Sequence, residues 1–265
     1  MQQRNIRLYI AYDGTNFCGW QRQRNGPTIQ ETLEQRLTRI TRTAVQVNGA
    51  GRTDAGVHAH SMVANFSTNA TMPAPAFAKA LNSMLPKDIR ILEAEEVAPD
   101  FHARFSAKGK TYCYDFFTGP IQPPIERLYR THFPCSFIPD RVQPSLDLLL
   151  GTHDFASFEA VGSRDRTRTE GRGAVRTLFQ AQCLVDPARP KYFTLRFRGD
   201  GFLRHMVRNL AGTLIMVGTG RLSTKQLRDI LEARDREKAG PTAPACGLFL
   251  EQVHYEEMAG KDETL

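Results

Sequence analysis

The order of the apolar patterns along the chain constrains its fold more than any other feature of the sequence. Residues 6–10 alternate apolar and polar side chains, as in a half-buried strand. Residues 28–43 and 73–85 repeat apolar side chains every three or four positions, which is typical of amphipathic helices. Further strand patterns occur at 45–47, 61–68 and 88–97. The predicted order β-α-β-β-α-β is that of a ferredoxin-like unit.

A similar order returns in the rest of the chain. Strand patterns cover 108–117, 178–185, 191–199 and 247–255, and helical patterns cover 140–151, 205–218 and 223–234. We therefore predict an α+β protein with two ferredoxin-like (RRM-like) halves, residues 1–105 and 106–265. Their sheets are expected to join into one mixed, mostly antiparallel central sheet with helices on one face.

The composition of the chain bears on the compartment in which the protein is expected to act. Apolar residues make up 41% and charged residues 24% of the chain, and no apolar run approaches the length of a membrane span. The first residues have a strand pattern instead of a signal-peptide pattern, so we expect a cytoplasmic protein. The five cysteines are scattered and form no CxxC pair, which argues against a disulfide framework and a zinc site.

The charge favours a polyanionic partner. The net charge is +7 and the pI about 9.3, and arginine supplies most of the excess. Because the arginine fork suits phosphate, nucleic acid is a natural candidate. Residues 162–176 contain five arginines without apolar periodicity and are predicted to form a mobile basic loop. This loop is either a solvated linker or an arm that grips a phosphate backbone.

The stretch "GAGRTDAGVHAH", residues 49–60, holds the main catalytic candidate. Asp54 lies among glycines and alanines, which allow a bulky group to approach closely. In extended geometry Arg52 and Asp54 point to the same side, so the carboxylate is expected to stay ionised and to act as a nucleophile or a base. The alternative is a turn in which Asp54 only caps backbone N–H groups.

Two arginines in a later apolar helix supply candidate partners. Arg204 and Arg208 lie one turn apart in "FLRHMVRN", where an unpaired charge is costly. A carboxylate from another segment, such as Asp54, is the natural counter-ion.

One predicted strand carries two tyrosines on the same face. Tyr112 and Tyr114 share a face of "KGKTYCY", beside Lys108 and Lys110. They are either packed in the core or act as platforms on which bases stack.

Other chemistries have weaker support. His58, His60 and His102 do not provide a well-spaced set of ligands, so no metal is expected. Cys18 lacks a basic activator beyond Arg22 and ranks below Asp54 as a nucleophile. No Walker loop, dinucleotide fingerprint or GxSxG elbow is present, and we expect no cofactor.

Six blocks in order carry a family resemblance: "YDGTNFCGWQRQ", "GAGRTDAGVHAH", "KGKTYCYDF", "THDFASF", "FLRHMVRNLAGTL" and "APACGLFLEQVHY". Together they resemble the TruA family of tRNA pseudouridine synthases over nearly the whole chain, and "GRTDAGVHA" is the most specific of them. Arg204 stands where that family often has an aromatic residue.

The resemblance implies an isomerase without cofactor or metal, which converts uridine to pseudouridine at positions 38–40 of the tRNA anticodon stem-loop. It implies a homodimer whose positive cleft holds the tRNA. By resemblance, Asp54 is the nucleophile or initiates glycosidic cleavage, and Tyr112 lies against the target base. Arg208 forms an ion pair with Asp54, and Arg52 helps to hold the flipped nucleotide.

Alternatives stay open at this point. The chain is a tRNA-uridine isomerase, a catalytically silent tRNA-binding or chaperone protein of the same fold, or a Cys18-dependent RNA methyltransferase, for which a SAM-binding segment is missing. The residues also leave open whether Asp54 attacks C1′, attacks C6 or removes a proton.

Overall fold

The computed structural model describes residues 3–163 and 171–256. Ten strands are present in these ranges: β1 Arg4–Tyr12, β2 Asn48–Gly49, β3 His58–Thr68, β4 Ile89–Val97, β5 Gly109–Phe117, β6 Thr131–His132, β7 Gly151–Asp154, β8 Val175–Asp186, β9 Arg189–Gly199 and β10 Leu248–His254. The α-helices in the same ranges are α1 Ile29–Thr41, α2 Ala74–Met84, α3 Gln143–Leu149, α4 Met206–Gly218 and α5 Thr224–Ala233. Of the basic segment 162–176, residues 164–170 lie outside the described ranges, so its predicted mobility stays a prediction.

All ten strands belong to one sheet. Its order is β4-β1-β3-β10-β5-β9-β8-β7, with β2 beside β3 and β6 beside β5. The β3–β10 and β5–β6 pairs are parallel, and the other pairs are antiparallel. The predicted α+β class with a mixed, mostly antiparallel sheet is therefore confirmed.

The two runs of strands repeat one topology. In the first run, β4-β1-β3 with β2 on β3 has the 4-1-3-2 strand order of a ferredoxin-like unit. In the second run, β10-β5-β9-β8 has the same order, and β3 and β10 join the two runs. On this repeat we propose the division of the chain into residues 1–105 and 106–265.

The apolar residues that alternate along the strands and recur at helical spacing in the helices form a core between the sheet and its helices. Ile6, Leu8 and Ile10 are fully buried, as their period of two predicts. Against this part of the sheet, α2 packs on β4 and also contacts α1. The buried residues of these two helices are Ile29, Leu33, Leu37, Ala74, Phe77 and Leu81.

Caps define two helix starts. The Ser223 side chain accepts a hydrogen bond from the Gln226 backbone N–H, and the Gln226 side chain bonds back to the Ser223 backbone, so α5 begins with a complete capping box. At α1 the Thr28 hydroxyl accepts from the Glu31 backbone N–H, which is half of such a box.

Several predicted boundaries were wrong. Residues 45–47 are not a strand, because the Val47 backbone N–H donates to Glu34 Oε1 and its carbonyl accepts from Gln30 Nε2, both on α1. Asn48–Gly49 pairs with β3 instead. The helix predicted over 140–151 is confined to Gln143–Leu149, and Gly151, with φ +89, opens β7. No helix in the described part of the chain is long and apolar enough to cross a membrane.

Candidate active site

The turn that carries Asp54 is fixed by the segment that follows β1. The Trp20 backbone N–H donates to the Thr53 carbonyl at 3.1 Å, and the Gly56 N–H donates to the Phe17 carbonyl at 3.3 Å. The hydroxyls of Tyr12 and Thr53 are hydrogen-bonded at 2.8 Å in the buried interior. Asp54 therefore stands on a backbone held from both sides, as a preorganised site requires.

The glycines of this region serve the packing of the protein itself. A Cβ on Gly19 would lie 2.4 Å from the Thr53 carbonyl oxygen, and a Cβ on Gly49 would lie 2.4 Å from the Trp20 ring. A Cβ on Gly51 would lie 3.3 Å from Cε of Lys110. The predicted close approach at Gly49 and Gly51 is thus made by side chains of this chain.

Three basic side chains surround the Asp54 carboxylate. Arg208 Nη1 and His205 Nε2 each lie 3.5 Å from Oδ2, and Arg204 Nε lies 4.0 Å from Oδ1. The Asp54 side chain is 24% exposed, so it is reachable from solvent but largely enclosed. The expected pairing of the two arginines with Asp54 is therefore present in the structure.

Arg208 is the most enclosed of the three, with 15% of its side chain exposed. Its Nε donates a hydrogen bond of 2.7 Å to the Ala243 carbonyl, which fixes the guanidinium. Arg208 lies in the first turn of α4, where the helix dipole also favours a negative charge. Two sources of positive potential, the guanidinium and the helix N-terminus, therefore face the Asp54 side chain.

His205 was missed by the sequence reasoning. It precedes α4 with φ +62, a left-handed conformation that is uncommon for residues other than glycine. Burial lowers the pKa of His205, and Arg208 and Arg204 lower it further, against the opposing effect of Asp54. Its position between the two arginines in "RHMVR" was the available signal.

Tyr112 reaches the site through the β3–β10 junction. Leu250 of β10 pairs with Ala59 of β3 on one side and with Tyr112 on the other, so Tyr112 lies near the turn that precedes β3. Its side chain is almost fully buried, with the Phe202 ring edge-on at 5.0 Å. Burial raises the pKa of Tyr112, and the charge of Asp54 raises it further.

The two tyrosines of this strand differ in their hydroxyl groups. The Tyr114 hydroxyl is hydrogen-bonded to Thr131 at 2.7 Å and donates to the Pro244 carbonyl at 3.0 Å, which is a structural arrangement. The Tyr112 hydroxyl has no hydrogen bond to any residue that the structure describes. Of the pair, Tyr112 is the one available to a ligand.

Arg52 is not among the cations around Asp54. Its side chain is exposed, and within the described ranges it forms no ion pair with Asp54. The alternation argument assumed extended backbone, whereas the Val57 N–H donates a hydrogen bond of 3.2 Å to the Asp54 carbonyl, so a turn begins at Asp54 itself. Arg52 has no ion pair with any described residue, and its exposed side chain can meet a partner from outside the chain.

The side chains that were weaker candidates for a metal site or a nucleophile have contacts typical of structural residues. His58 is buried and accepts a hydrogen bond from the Gly14 N–H at 3.1 Å, and His60 stacks on Phe249. Cys18 directs its thiol to the Asn25 carbonyl at 3.9 Å. Residues 3–163 and 171–256 contain no group of three side chains suited to hold a metal ion.

An open cavity of about 440 Å³ lies next to two of the side chains that contact Asp54. Arg204 and His205 line it together with Arg236 and Glu237, and Asp54 is not part of the lining. The space beside Arg204 and His205 is therefore large enough for part of a nucleotide, and its lining has more basic than acidic side chains.

Comparison with known proteins agrees with this architecture. The family model described as tRNA pseudouridine synthase matches residues 8–106 and 146–256, which include the Asp54 turn and α4. A chain from a crystal structure of a Cbf5-Nop10-Gar1 complex aligns over 79% of this chain and 45% of that chain, at 12% identity. Its TM-score of 0.38 is too low to bear on the argument.

Curated relatives match over the same length. The chain is 50% identical to tRNA pseudouridine synthase A 1 of Desulfotalea psychrophila, 41% to tRNA pseudouridine synthase A 2 of Clostridium perfringens and 42% to tRNA pseudouridine synthase A of Acetivibrio thermocellus. Each alignment covers 95% of this chain and 100% of the relative.

The joined sheet and the family match define a pseudouridine synthase, an enzyme that isomerises uridine within RNA. More narrowly, the chain belongs to the TruA family of tRNA pseudouridine synthases.

Proposed function

We propose that Asp54 is the catalytic residue with which this enzyme isomerises uridine in the anticodon stem-loop of tRNA, at positions 38–40. One observation carries the proposal: a partly exposed carboxylate lies between Arg208, His205 and Arg204, and its charge acts on Tyr112, whose hydroxyl has no hydrogen bond to any described residue. The guanidinium groups at 3.5 to 4.0 Å face the carboxylate oxygens, and the charged carboxylate is the form that attacks or accepts a proton.

The reaction balances without any added group. The C1′–N1 bond of the uridine breaks, the uracil rotates, and a bond forms between C1′ and C5. The hydrogen on C5 leaves, and the N1 that was released takes up a proton. Attack of Asp54 on C1′, attack on C6 and removal of a proton all use the same ionised carboxylate at the same place.

The remaining roles follow from position. Tyr112 packs against the target base, since it is held by Phe202 and has a free hydroxyl. Arg208 orients Asp54 while the Ala243 carbonyl fixes its guanidinium. Arg52, exposed on the same turn, contacts the RNA and helps to keep the target nucleotide flipped out.

The substrate must be unstacked before it reacts. Extruding a base from a stem costs a few kcal/mol, which phosphate contacts from arginine and lysine offset. The net charge of +7 supports such binding. The cavity lined by Arg204, His205 and Arg236 gives the RNA space next to two of the side chains that contact Asp54.

The assembly and its location belong to the same proposal. We infer a homodimer from the family resemblance, and light scattering should give about twice the chain mass of 29.8 kDa. We also infer action in the cytoplasm, and the five free thiols suit a reducing compartment.

The direct test is to incubate the wild-type protein with unmodified tRNA transcripts and to map pseudouridine by position. We expect pseudouridine at positions 38–40 wherever the transcript has uridine there. Pseudouridine only at other positions would refute the anticodon assignment. Tight tRNA binding without any pseudouridine would show a silent tRNA-binding protein instead.

A further inference from the structure

Lys110 lies beside the Asp54 turn but takes no part in the arrangement described above. It precedes Tyr112 by two residues on β5, so the two side chains leave the same face of the strand. A Cβ on Gly51 would lie 3.3 Å from Lys110 Cε and 3.8 Å from its Nζ. Within the described ranges, the ammonium group of Lys110 forms no hydrogen bond and no ion pair.

Positive charge accumulates around this ammonium group. Arg104, Arg172 and Arg176 act on Lys110 as like charges, and the opposing charge comes from Asp200. That carboxylate is already engaged, because Arg172 Nη1 lies 2.5 Å from one oxygen and a backbone N–H donates to the other at 3.1 Å. Among the residues that the structure describes, Lys110, Arg104 and Arg172 therefore share the single carboxylate of Asp200.

This arrangement is unfavourable for a protein without a ligand. Burial lowers the pKa of Lys110 to about 8, and the three arginines contribute in the same direction. A partly buried ammonium group among like charges gains little for the fold. An anion placed among these side chains would remove the repulsion and raise the pKa again.

Exposed aromatic rings lie next to the same cations. Phe179 is 50% exposed, and its ring would lie 3.8 Å from a Cβ on Gly109, the neighbour of Lys110. Phe105 is 77% exposed, and the Arg104 guanidinium lies 5.7 Å from its ring centre. Aromatic faces interleaved with cations are typical of surfaces that bind unpaired nucleotides, and a free phosphate ion would not need them.

We propose that Lys110, with Arg104 and Arg172, binds a backbone phosphate of the substrate tRNA beside the Asp54 turn, and that Phe105 and Phe179 stack on its bases. The proposal rests on the proposed function, because it takes tRNA as the ligand. The site would hold the RNA strand next to the nucleotide that reacts at Asp54.

The titration of Lys110 gives the test. We would measure binding of a fluorescent unmodified tRNA transcript by anisotropy, at pH 7 and pH 9 and constant ionic strength. For a pKa of about 8, the charged fraction of Lys110 falls from about nine-tenths to about one-tenth. If the charged contact is worth about tenfold in affinity, wild-type affinity should therefore fall about fivefold, because neutral Lys110 leaves the remaining affinity intact and the arginines keep their charge over this range.

Two variants separate charge from structure. Lys110→Arg keeps a charge at both pH values, so its affinity should be close to the wild-type value at pH 7 and should not fall at pH 9. Lys110→Met should bind about tenfold more weakly at pH 7, should not respond to pH, and should lower the salt slope of binding by about one.

Lys191→Met is the matched control. This exposed lysine lies on β9, eight residues from Gly199, which pairs with Lys110, or about 26 Å along the strand. It should keep wild-type affinity and the wild-type response to pH, and it corrects for any effect of pH on the RNA itself.

Specific results of these binding measurements would overturn the proposed phosphate site. If Lys110→Met binds tRNA as the wild type does at pH 7, or if Lys110→Arg retains the wild-type response to pH, the phosphate site is wrong. Thermal melting shows whether the variants are folded, and the arginine variant stays informative if the methionine variant is not. Pseudouridine formation by the wild type is scored separately, and its absence would refute the proposed function and not the phosphate site.

Discussion

A single methyl group at Gly19 is expected to disturb the Asp54 turn. Gly19 has φ +88, and a Cβ there would lie 2.4 Å from the Thr53 carbonyl oxygen and 2.9 Å from the Asp54 carbonyl carbon. These are backbone atoms, so no flexible side chain can yield. In Gly19→Ala the turn itself has to move.

The size of the movement follows from the contact. Because real Cβ contacts stay beyond 3.0 Å, the 2.4 Å contact requires a shift of at least about 0.6 Å, and nearer 1 Å for ordinary contact. Displacement of a catalytic group by about 1 Å can cost about 100-fold in rate, or about 2.7 kcal/mol of activation free energy. The left-handed alanine adds about 1 kcal/mol to the loss of folding stability.

Gly151→Ala provides the matched control. Its φ of +89 imposes the same backbone cost, but the nearest atom to its Cβ would be His153 Nε2 at 3.9 Å. Single-turnover rates of pseudouridine formation and thermal melting should be measured for both variants. We expect both to lose about 1 kcal/mol from the backbone term and only Gly19→Ala to lose activity. Equal activity in the two variants would refute the claim that Gly19 positions Asp54.

Three further variants test neighbouring groups. Arg208→Met removes a cation 3.5 Å from Asp54, so turnover should fall about 10- to 100-fold while tRNA affinity stays within a few-fold of the wild-type value. Turnover at the wild-type rate would count against a role for the ion pair. His205→Gly removes the backbone strain of a non-glycine residue at φ +62, so the variant should unfold at a temperature equal to or higher than the wild type but should turn over more slowly. Full activity would show that the imidazole does not assist Asp54. Because the folded pKa of Lys110 is below its ordinary value, the charged form destabilises the fold below about pH 8, and this effect is lost as the pH approaches 10.5. In urea unfolding at pH 7, the free energy of unfolding of Lys110→Met should exceed that of the wild type by up to about 2 kcal/mol, a value already reduced for the partial exposure of Lys110. At pH 10 the difference should be much smaller. An equal gain at both pH values would contradict the lowered pKa of Lys110.

Local patterns predicted the elements of the fold well. The alternation at Ile6, Leu8 and Ile10 and the spacing at Ile29 and Leu33 each arise from one segment burying one face, so the sequence carries them directly. The β3–β10 junction is different, because it joins residues far apart in the chain, and no local signal specifies which strand takes that edge.

The same distinction applies to the site. The pairing of Asp54 with Arg208 was predictable because a charge in an apolar helix demands a counter-ion. His205 and Lys110 were not recognised, since their importance depends on the left-handed backbone of one and on the cations that gather around the other. Arg52 was expected beside Asp54, but a turn replaces the extended geometry on which that expectation relied.

The central claim is that activity depends on the charge of Asp54. Asp54→Asn keeps the shape of the side chain and removes its charge, while Arg204, His205 and Arg208 stay in place. Pseudouridine mapped by position in tRNA treated with this variant should be absent, although the variant binds the tRNA at least as well as the wild type. Turnover at the wild-type rate by Asp54→Asn would contradict the account.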